Sequence, residues 1–182
     1  MNYKGLGVII VAIACWAIVA RAEPNDITID PHVSFEAGVG LGSTAKQIVA
    51  GSVMYWPDYA SDGAVGVLIV GGDLVPEDEC LVGPAVEFPI GDIYDAVIGR
   101  VLPNRIAEVF GNATAQMRPY GRGAILLDYD LHPCVVLGTG TRLFPNKKIQ
   151  PVLRTEYYEP AGNSLAPEMS GWWTTLGVSV FF

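Results

Sequence analysis

Seven charged side chains lie in segments where every second residue is apolar, and each falls in the row that alternates with the apolar one. They are Glu36, Glu87, Glu156, Arg118, Arg122, Arg142 and Arg154. Charges held away from water must pair, because one uncompensated buried charge costs roughly 3–5 kcal/mol. We therefore expect stacked ion pairs that plug the interior of the fold. A gate or an active site built from the same charges is the alternative.

No catalytic constellation, metal site or cofactor site stands out. His32 and His132 are expected at opposite ends of the fold, which argues against a shared metal ion or a base–nucleophile pair. Cys80 and Cys134 lack the spacing of metal ligands. Cleavage of an N-terminal signal peptide would remove Cys15 and leave these two cysteines. In an oxidising compartment an even number favours a disulfide between them, with two free thiols as the alternative.

The N-terminal residues have the pattern of a secretory signal peptide. A short positive start, Met1 to Lys4, precedes an apolar run from Leu6 to Ala20 and small residues around a cut after Ala22. The run is short against the roughly 20 residues that span a bilayer. We expect a signal peptide over residues 1–22 and one mature domain over residues 23–182, exported from the cytoplasm.

The composition favours a membrane barrel over a soluble secreted domain. The chain is 51% hydrophobic yet has 21 glycines and 13 prolines, and no later segment approaches a transmembrane helix. Apolar content spread over short alternating strands is what a closed transmembrane barrel requires. The net charge of −8 and the lack of a basic stripe argue against nucleic acid as a partner.

Eight segments alternate between apolar and small or polar residues and predict an all-β, up-and-down antiparallel barrel. The predicted strands are 31–43, 46–56, 64–74, 80–90, 115–128, 134–144, 148–158 and 172–182. The third is apolar on both faces, so its register stays open. Residues 92–110 have the spacing of a short helical insert, and an extra hairpin there, giving ten strands, is the alternative.

The last strand shows the pattern most clearly. From Trp172 to Phe182 every second side chain can face outward in an apolar row, and Thr175, Gly177 and Ser179 face the other way. An even number of strands puts both ends of the mature domain on the periplasmic side, with longer connections outside and shorter ones inside. Aromatic residues near strand ends predict girdles at the membrane interface. They are Trp56, Phe88, Phe144, Tyr157, Trp172 and Phe182.

The signal peptide, the alternating strands, the segment Arg118-Pro-Tyr-Gly-Arg-Gly123 and the ending Val178-Ser-Val-Phe-Phe182 resemble small bacterial outer-membrane barrels of the OmpA/OmpX kind. The resemblance covers the whole mature domain. It implies an integral, monomeric outer-membrane protein without a cofactor. Its expected partners are outer-membrane lipid, lipopolysaccharide and, through the C-terminal strand, the barrel-assembly machinery. These features define an architecture and no particular task.

The final hairpin, from Arg154 to Phe182, is also similar to that of the lipid A deacylases, another eight-stranded family. Those enzymes depend on a His-Ser pair near the end of the penultimate strand. The matching stretch here carries Tyr157, Tyr158 and Glu159 without a histidine. The resemblance therefore does not carry hydrolase activity to this chain.

Three functions follow from this sequence. The leading hypothesis is a non-enzymatic barrel with a structural, adhesion or envelope-integrity role. The second is a lipid-modifying enzyme with a site at the outer-leaflet rim, drawn from Tyr157, Tyr158, Glu156 and Glu159. The third is a soluble periplasmic barrel of the lipocalin kind, whose apolar rows would face an internal cavity.

Overall fold

The computed structural model describes residues 32–42, 46–58, 63–72, 80–91, 117–145, 147–161 and 170–182. The predicted signal peptide, residues 1–22, and the predicted helical insert, residues 92–110, both lie outside these residues. Within the described ranges, no helix is long and apolar enough to cross a membrane.

Eight antiparallel strands form one closed barrel in which each strand pairs with the next and the last pairs with the first. They are β1 (Val33–Gly42), β2 (Gln47–Tyr55), β3 (Ala64–Gly72), β4 (Leu81–Pro89), β5 (Met117–Leu127), β6 (Pro133–Leu143), β7 (Ile149–Pro160) and β8 (Gly171–Phe181). Every predicted strand is present, and its ends differ from the prediction by no more than two residues. The ten-stranded alternative is wrong, because β4 pairs directly with β5.

The alternation of side chains follows from the pleat of each strand. In β8, Trp172 is 59% exposed on the outer face, while Thr175 and Ser179 are buried in the lumen. The same geometry settles the register of β3, which the sequence left open. Ile69 faces outward and Leu68 fills the lumen.

The connections between strands divide between the two ends of the barrel. The end that holds the start of β1 and the end of β8 also holds the β2–β3, β4–β5 and β6–β7 connections. The connection between Leu143 and Ile149 at this end is short, as predicted, but β4 ends at Pro89 and β5 begins only at Met117. The longest connection, between β4 and β5, is thus at the end where short connections were expected. The up-and-down order of the strands decides at which end each connection lies, independently of its length.

Candidate functional site

A buried cluster of three carboxylates and three guanidiniums occupies the lumen, from its middle toward the end that holds the start of β1 and the end of β8. We call it the ion-pair cluster. Its members are Glu36 on β1, Glu87 on β4, Arg122 on β5, Arg142 on β6, and Arg154 and Glu156 on β7. All six were predicted, and alternation along each strand is what turns them inward.

Arg122 is the hub of the ion-pair cluster, since it contacts all three carboxylates. Its Nε donates to Glu87 Oε1 at 2.9 Å, and its Nη2 contacts the same oxygen. Nη2 also donates to Glu36 Oε1 at 3.2 Å, and Nη1 donates to Glu156 Oε1 at 3.3 Å. The planar guanidinium has donors pointing in several directions, which allows one side chain to serve three partners.

The other two arginines contact the same carboxylates. Arg142 Nη2 donates to Glu87 Oε2 at 2.6 Å and to Glu36 Oε2 at 3.3 Å. Arg154 Nη1 lies 2.6 Å from Glu36 Oε1 and 3.9 Å from Glu156 Oε1. With all six groups ionised the charges cancel, so the cluster is neutral as a whole.

Aromatic side chains around the ion-pair cluster were not predicted as part of it. The Arg142 guanidinium lies 4.1 Å from the ring centroid of Tyr120 and 5.0 Å from that of Trp56. Tyr158 donates its hydroxyl to Glu156 Oε2 at 3.1 Å. Tyr120 lies in the inward row of β5 together with Arg118 and Arg122, so the alternation of β5 already indicated that its ring faces the lumen.

Arg118, the seventh charge of the predicted network, lies toward the terminal end of the lumen. Its guanidinium is 5.1 Å from the ring centroid of Trp56. The contact between a guanidinium and an aromatic face is electrostatically favourable. Arg118 therefore packs against the Trp56 ring inside the barrel.

The half of the lumen farther from the start of β1 and the end of β8 is filled by uncharged side chains. They include Ile48, Leu68, Val70, Leu81, Leu126, Val136 and Trp173. Each is at most 3% exposed. An eight-stranded barrel has an interior just wide enough for side chains to fill it. The arrangement is compatible with a plugged lumen.

Glycines make room for the large side chains of the lumen. A Cβ on Gly140 would lie 2.5 Å from Tyr120 Cζ and 2.9 Å from Arg154 Cγ. A Cβ on Gly40 would lie 2.6 Å from Thr175 Oγ1. Glycines on β1 and β6 therefore line a narrow lumen.

The two histidines lie at opposite ends of the barrel, as expected. His32 precedes β1, and its Nδ1 lies 3.1 Å from the carbonyl oxygen of Trp56. His132 precedes β6, and its backbone N–H donates to Asp128 Oδ1 at 2.8 Å. Burial alone would raise the pKa of the Asp128 carboxyl, but the hydrogen bonds from His132 outweigh it and hold that pKa below its ordinary value. No group of three acidic, histidine or cysteine side chains in the described ranges could hold a metal ion.

The predicted disulfide is absent, since Cys80 and Cys134 are both free. Cys80 is exposed at the start of β4, whereas Cys134 is buried in the lumen on β6. Strand β5 lies between them, which separates the backbones by roughly 9–10 Å at normal strand spacing. A disulfide needs about 4.4–6.8 Å between Cα atoms. The prediction considered only that both cysteines lie near the same end of the barrel and left out the strand between them.

Five of the six predicted interface aromatics lie outside the packed lumen. Phe88, Trp172 and Phe182 are each more than half exposed, and Tyr157 and Phe144 are partly exposed.

Trp56 is the exception, because its ring is only 2% exposed and lies inside the barrel. Its Nε1 donates to Ser34 Oγ at 2.9 Å. Tyr55 takes the outward position instead. A shift of one residue along a strand reverses the face, and the prediction placed Trp56 on the wrong one.

The four residues of the lipid-modifying hypothesis do not share a site. Glu156 and Tyr158 point into the lumen, where both are buried. Tyr157 and Glu159 lie on the outer face and are hydrogen-bonded to each other at 2.9 Å. The barrel wall separates the two pairs, so only Tyr157 and Glu159 are accessible from outside.

A closed eight-stranded barrel with an apolar outer face and a charged, packed lumen defines the class of small membrane β-barrels. The sequence matches no protein-family model and no curated protein. Among solved structures, the chain is similar to the N-terminal β-barrel domain of Pseudomonas aeruginosa OprF. The TM-score is 0.55 with 13% identity, over 85% of this chain and 100% of that one.

Two designed proteins have the same fold. One, described as a de novo transmembrane β-barrel, has a TM-score of 0.51 and 14% identity over 85% of this chain and 98% of that one. The other, the de novo designed TMB2.3, has a TM-score of 0.51 and 12% identity over 86% and 98% of the two chains. At these identities the likeness establishes the fold of an outer-membrane-type small barrel.

Proposed function

We propose that this protein is an integral β-barrel of the bacterial outer membrane with a structural, adhesion or envelope-integrity role. Residues 1–22 are its cleaved signal peptide. Its partners are outer-membrane lipid, lipopolysaccharide and the barrel-assembly machinery, which recognises β8. The barrel acts as a monomer, and its lumen is closed to ions.

The observation that carries this proposal is the inversion of the usual distribution of side chains. The outer wall is apolar, with Val49 60%, Ile125 54% and Leu137 61% exposed. The charges are inside, with Arg122 1% and Arg142 0% exposed. In water this arrangement would expose apolar side chains and bury charged ones, and both effects would disfavour folding. In hydrocarbon the same arrangement favours the folded state.

The same inversion argues against the lipocalin-like alternative. A binding barrel in water needs apolar rows that face a cavity. Here Leu137 and Leu176 face outward, and the ion-pair cluster fills much of the interior. The enzyme alternative also lacks support, because the wall of the barrel divides its candidate residues.

Two measurements test the proposal. On a gel the membrane fraction should contain a form that migrates differently before and after boiling, and alkaline carbonate should not extract it. In planar bilayers the purified barrel should show no steady ion conductance. A carbonate-soluble protein with a single mobility would contradict membrane integration. A stable open channel would contradict the closed lumen.

A further inference from the structure

An exposed polar and aromatic cluster lies on the outer face, where β7 ends and β8 begins. We call it the rim site. Tyr157 donates its hydroxyl to Glu159 Oε2 at 2.9 Å, and Ser170 Oγ donates to the same oxygen at 2.8 Å. The two hydroxyl oxygens are 3.1 Å apart. Beside them lies the Trp172 ring, whose centroid is 5.3 Å from that of Tyr157.

The polar atoms of the rim site are arranged to accept hydrogen bonds. Both hydroxyl protons are directed to Glu159 Oε2, which leaves the lone pairs of the Tyr157 and Ser170 oxygens for a ligand. Within the described ranges no side chain donates to Glu159 Oε1, which is a third acceptor. A ligand that fits must therefore present several hydrogen-bond donors side by side.

The aromatic part of the rim site offers an apolar surface next to these acceptors. Trp172 is directly opposite Tyr157 in the register of β7 and β8, and it is 59% exposed. Tryptophan suits a contact that is apolar on one side and wet on the other. A hexopyranose ring has C–H groups on its faces and hydroxyls around its edge. It can therefore stack on the Trp172 indole while its edge donates to Glu159.

The position and charge of the rim site narrow the choice of sugar. The site lies at the barrel end opposite the start of β1 and the end of β8, and in the proposed orientation this end faces the outside of the cell. The Glu159 carboxylate disfavours phosphorylated and acidic sugars, because like charges repel each other. A single carboxylate does not supply the six or more oxygen ligands of Ca²⁺. A quaternary ammonium group has no N–H to donate to the three acceptors.

We propose that the rim site binds an uncharged hexopyranose, with Trp172 as the stacking surface and Glu159 as the main hydrogen-bond acceptor. Tyr157 and Ser170 hold the carboxylate in place and accept from neighbouring sugar hydroxyls. This inference rests on the proposed outer-membrane location and gives the adhesion role a ligand class. The same chemistry fits a sugar of lipopolysaccharide in the surrounding leaflet and a sugar of an external glycan, and the test distinguishes these two sources.

The test uses the purified protein in a polyoxyethylene detergent, which carries no sugar head. The methyl glycosides of glucose, galactose, mannose and N-acetylglucosamine are titrated while the indole N–H signal of Trp172 is followed by NMR. We expect saturable binding of at least one of the four. The 6-phosphate of the same sugar and choline chloride should each bind at least about tenfold more weakly.

Two variants and two matched controls assign the binding to the rim site. Glu159→Gln keeps the shape of the side chain and removes its charge, and it should weaken binding at least about fivefold because hydrogen bonds to charged groups are the stronger ones. Trp172→Leu should abolish binding, as measured by saturation transfer to the sugar protons. Asp130→Asn and Tyr129→Leu change an exposed carboxylate and an exposed aromatic ring on the turn between β5 and β6, and both should leave the affinity unchanged.

Lipopolysaccharide with its full sugar chain, added to the same samples, distinguishes the sources. Displacement of the methyl glycoside assigns the site to lipopolysaccharide, and retention assigns it to an external glycan. Three outcomes overturn the inference: no saturable binding of any of the four glycosides, an unchanged affinity in Glu159→Gln, or tighter binding of choline chloride or of the sugar phosphate. Heat-modifiable mobility and carbonate resistance of the same proteins report membrane-type folding separately. A folded, carbonate-resistant barrel that binds no sugar would therefore refute only the rim-site proposal.

Discussion

Replacing Arg122 with methionine should strongly destabilise the barrel. Arg122 contacts Glu36, Glu87 and Glu156, and its removal leaves three carboxylates facing two guanidiniums. One buried negative charge is then uncompensated, which costs about 3–5 kcal/mol. Urea unfolding of the barrel in phospholipid vesicles, followed by tryptophan fluorescence, measures the loss in free energy of unfolding.

A double substitution separates the charge effect from lost packing. Adding Glu87→Gln to Arg122→Met removes one charge of each sign, so the double variant should be at least about 1 kcal/mol more stable than Arg122→Met alone. Lys148→Met, on the exposed turn before β7, should change stability by less than about 0.5 kcal/mol. A free energy for Arg122→Met within about 0.5 kcal/mol of wild type would refute the reasoning.

Three further predictions concern other parts of the fold. Gly140→Val should cost about 1–3 kcal/mol in the same unfolding assay, because its side chain collides with lumen neighbours; wild-type stability would show that the lumen has spare room. The Asp128 carboxyl has a lower pKa in the folded barrel than in the unfolded chain. Its contribution to the free energy of unfolding is therefore fully present above the unfolded pKa near 4 and is lost as the pH falls below that value. Between pH 5 and pH 3 wild type should thus lose up to about 1 kcal/mol more than Asp128→Asn, and parallel curves for the two proteins would contradict the His132 contact. Maleimide should modify Cys80 in the folded barrel and Cys134 only after unfolding; equal labelling rates in the folded state would show that the lumen is open to solvent.

The sequence predicted the barrel well because its strands obey one simple rule. Alternation with a period of two residues marks both the strand and its outward face. The inward placement of Arg154 and Glu156 on β7 followed directly from it, as did the outward row of β8. The rule failed where both rows are apolar, as in β3, and where an aromatic suits either face, as at Trp56.

Other features depend on closure in three dimensions, which a single sequence does not encode locally. Arg122 is the hub because closure of the barrel brings carboxylates from β1, β4 and β7 around it. The separation of Cys80 from Cys134 depends on which strand lies between them. Ser170 and Glu159 are hydrogen-bonded across the connection between β7 and β8. Alternation along a strand does not predict this contact.

The central claim is that the apolar outer wall faces hydrocarbon while the charged lumen is sealed. A spin label at Leu137→Cys, in a Cys80→Ser, Cys134→Ala background in phospholipid vesicles, tests it most directly, with Tyr129→Cys on an exposed turn as the reference. We predict that dissolved oxygen relaxes the label at position 137 more strongly than a water-soluble nickel chelate does, and that position 129 shows the reverse. Equal access of the nickel chelate to both positions would contradict the claim.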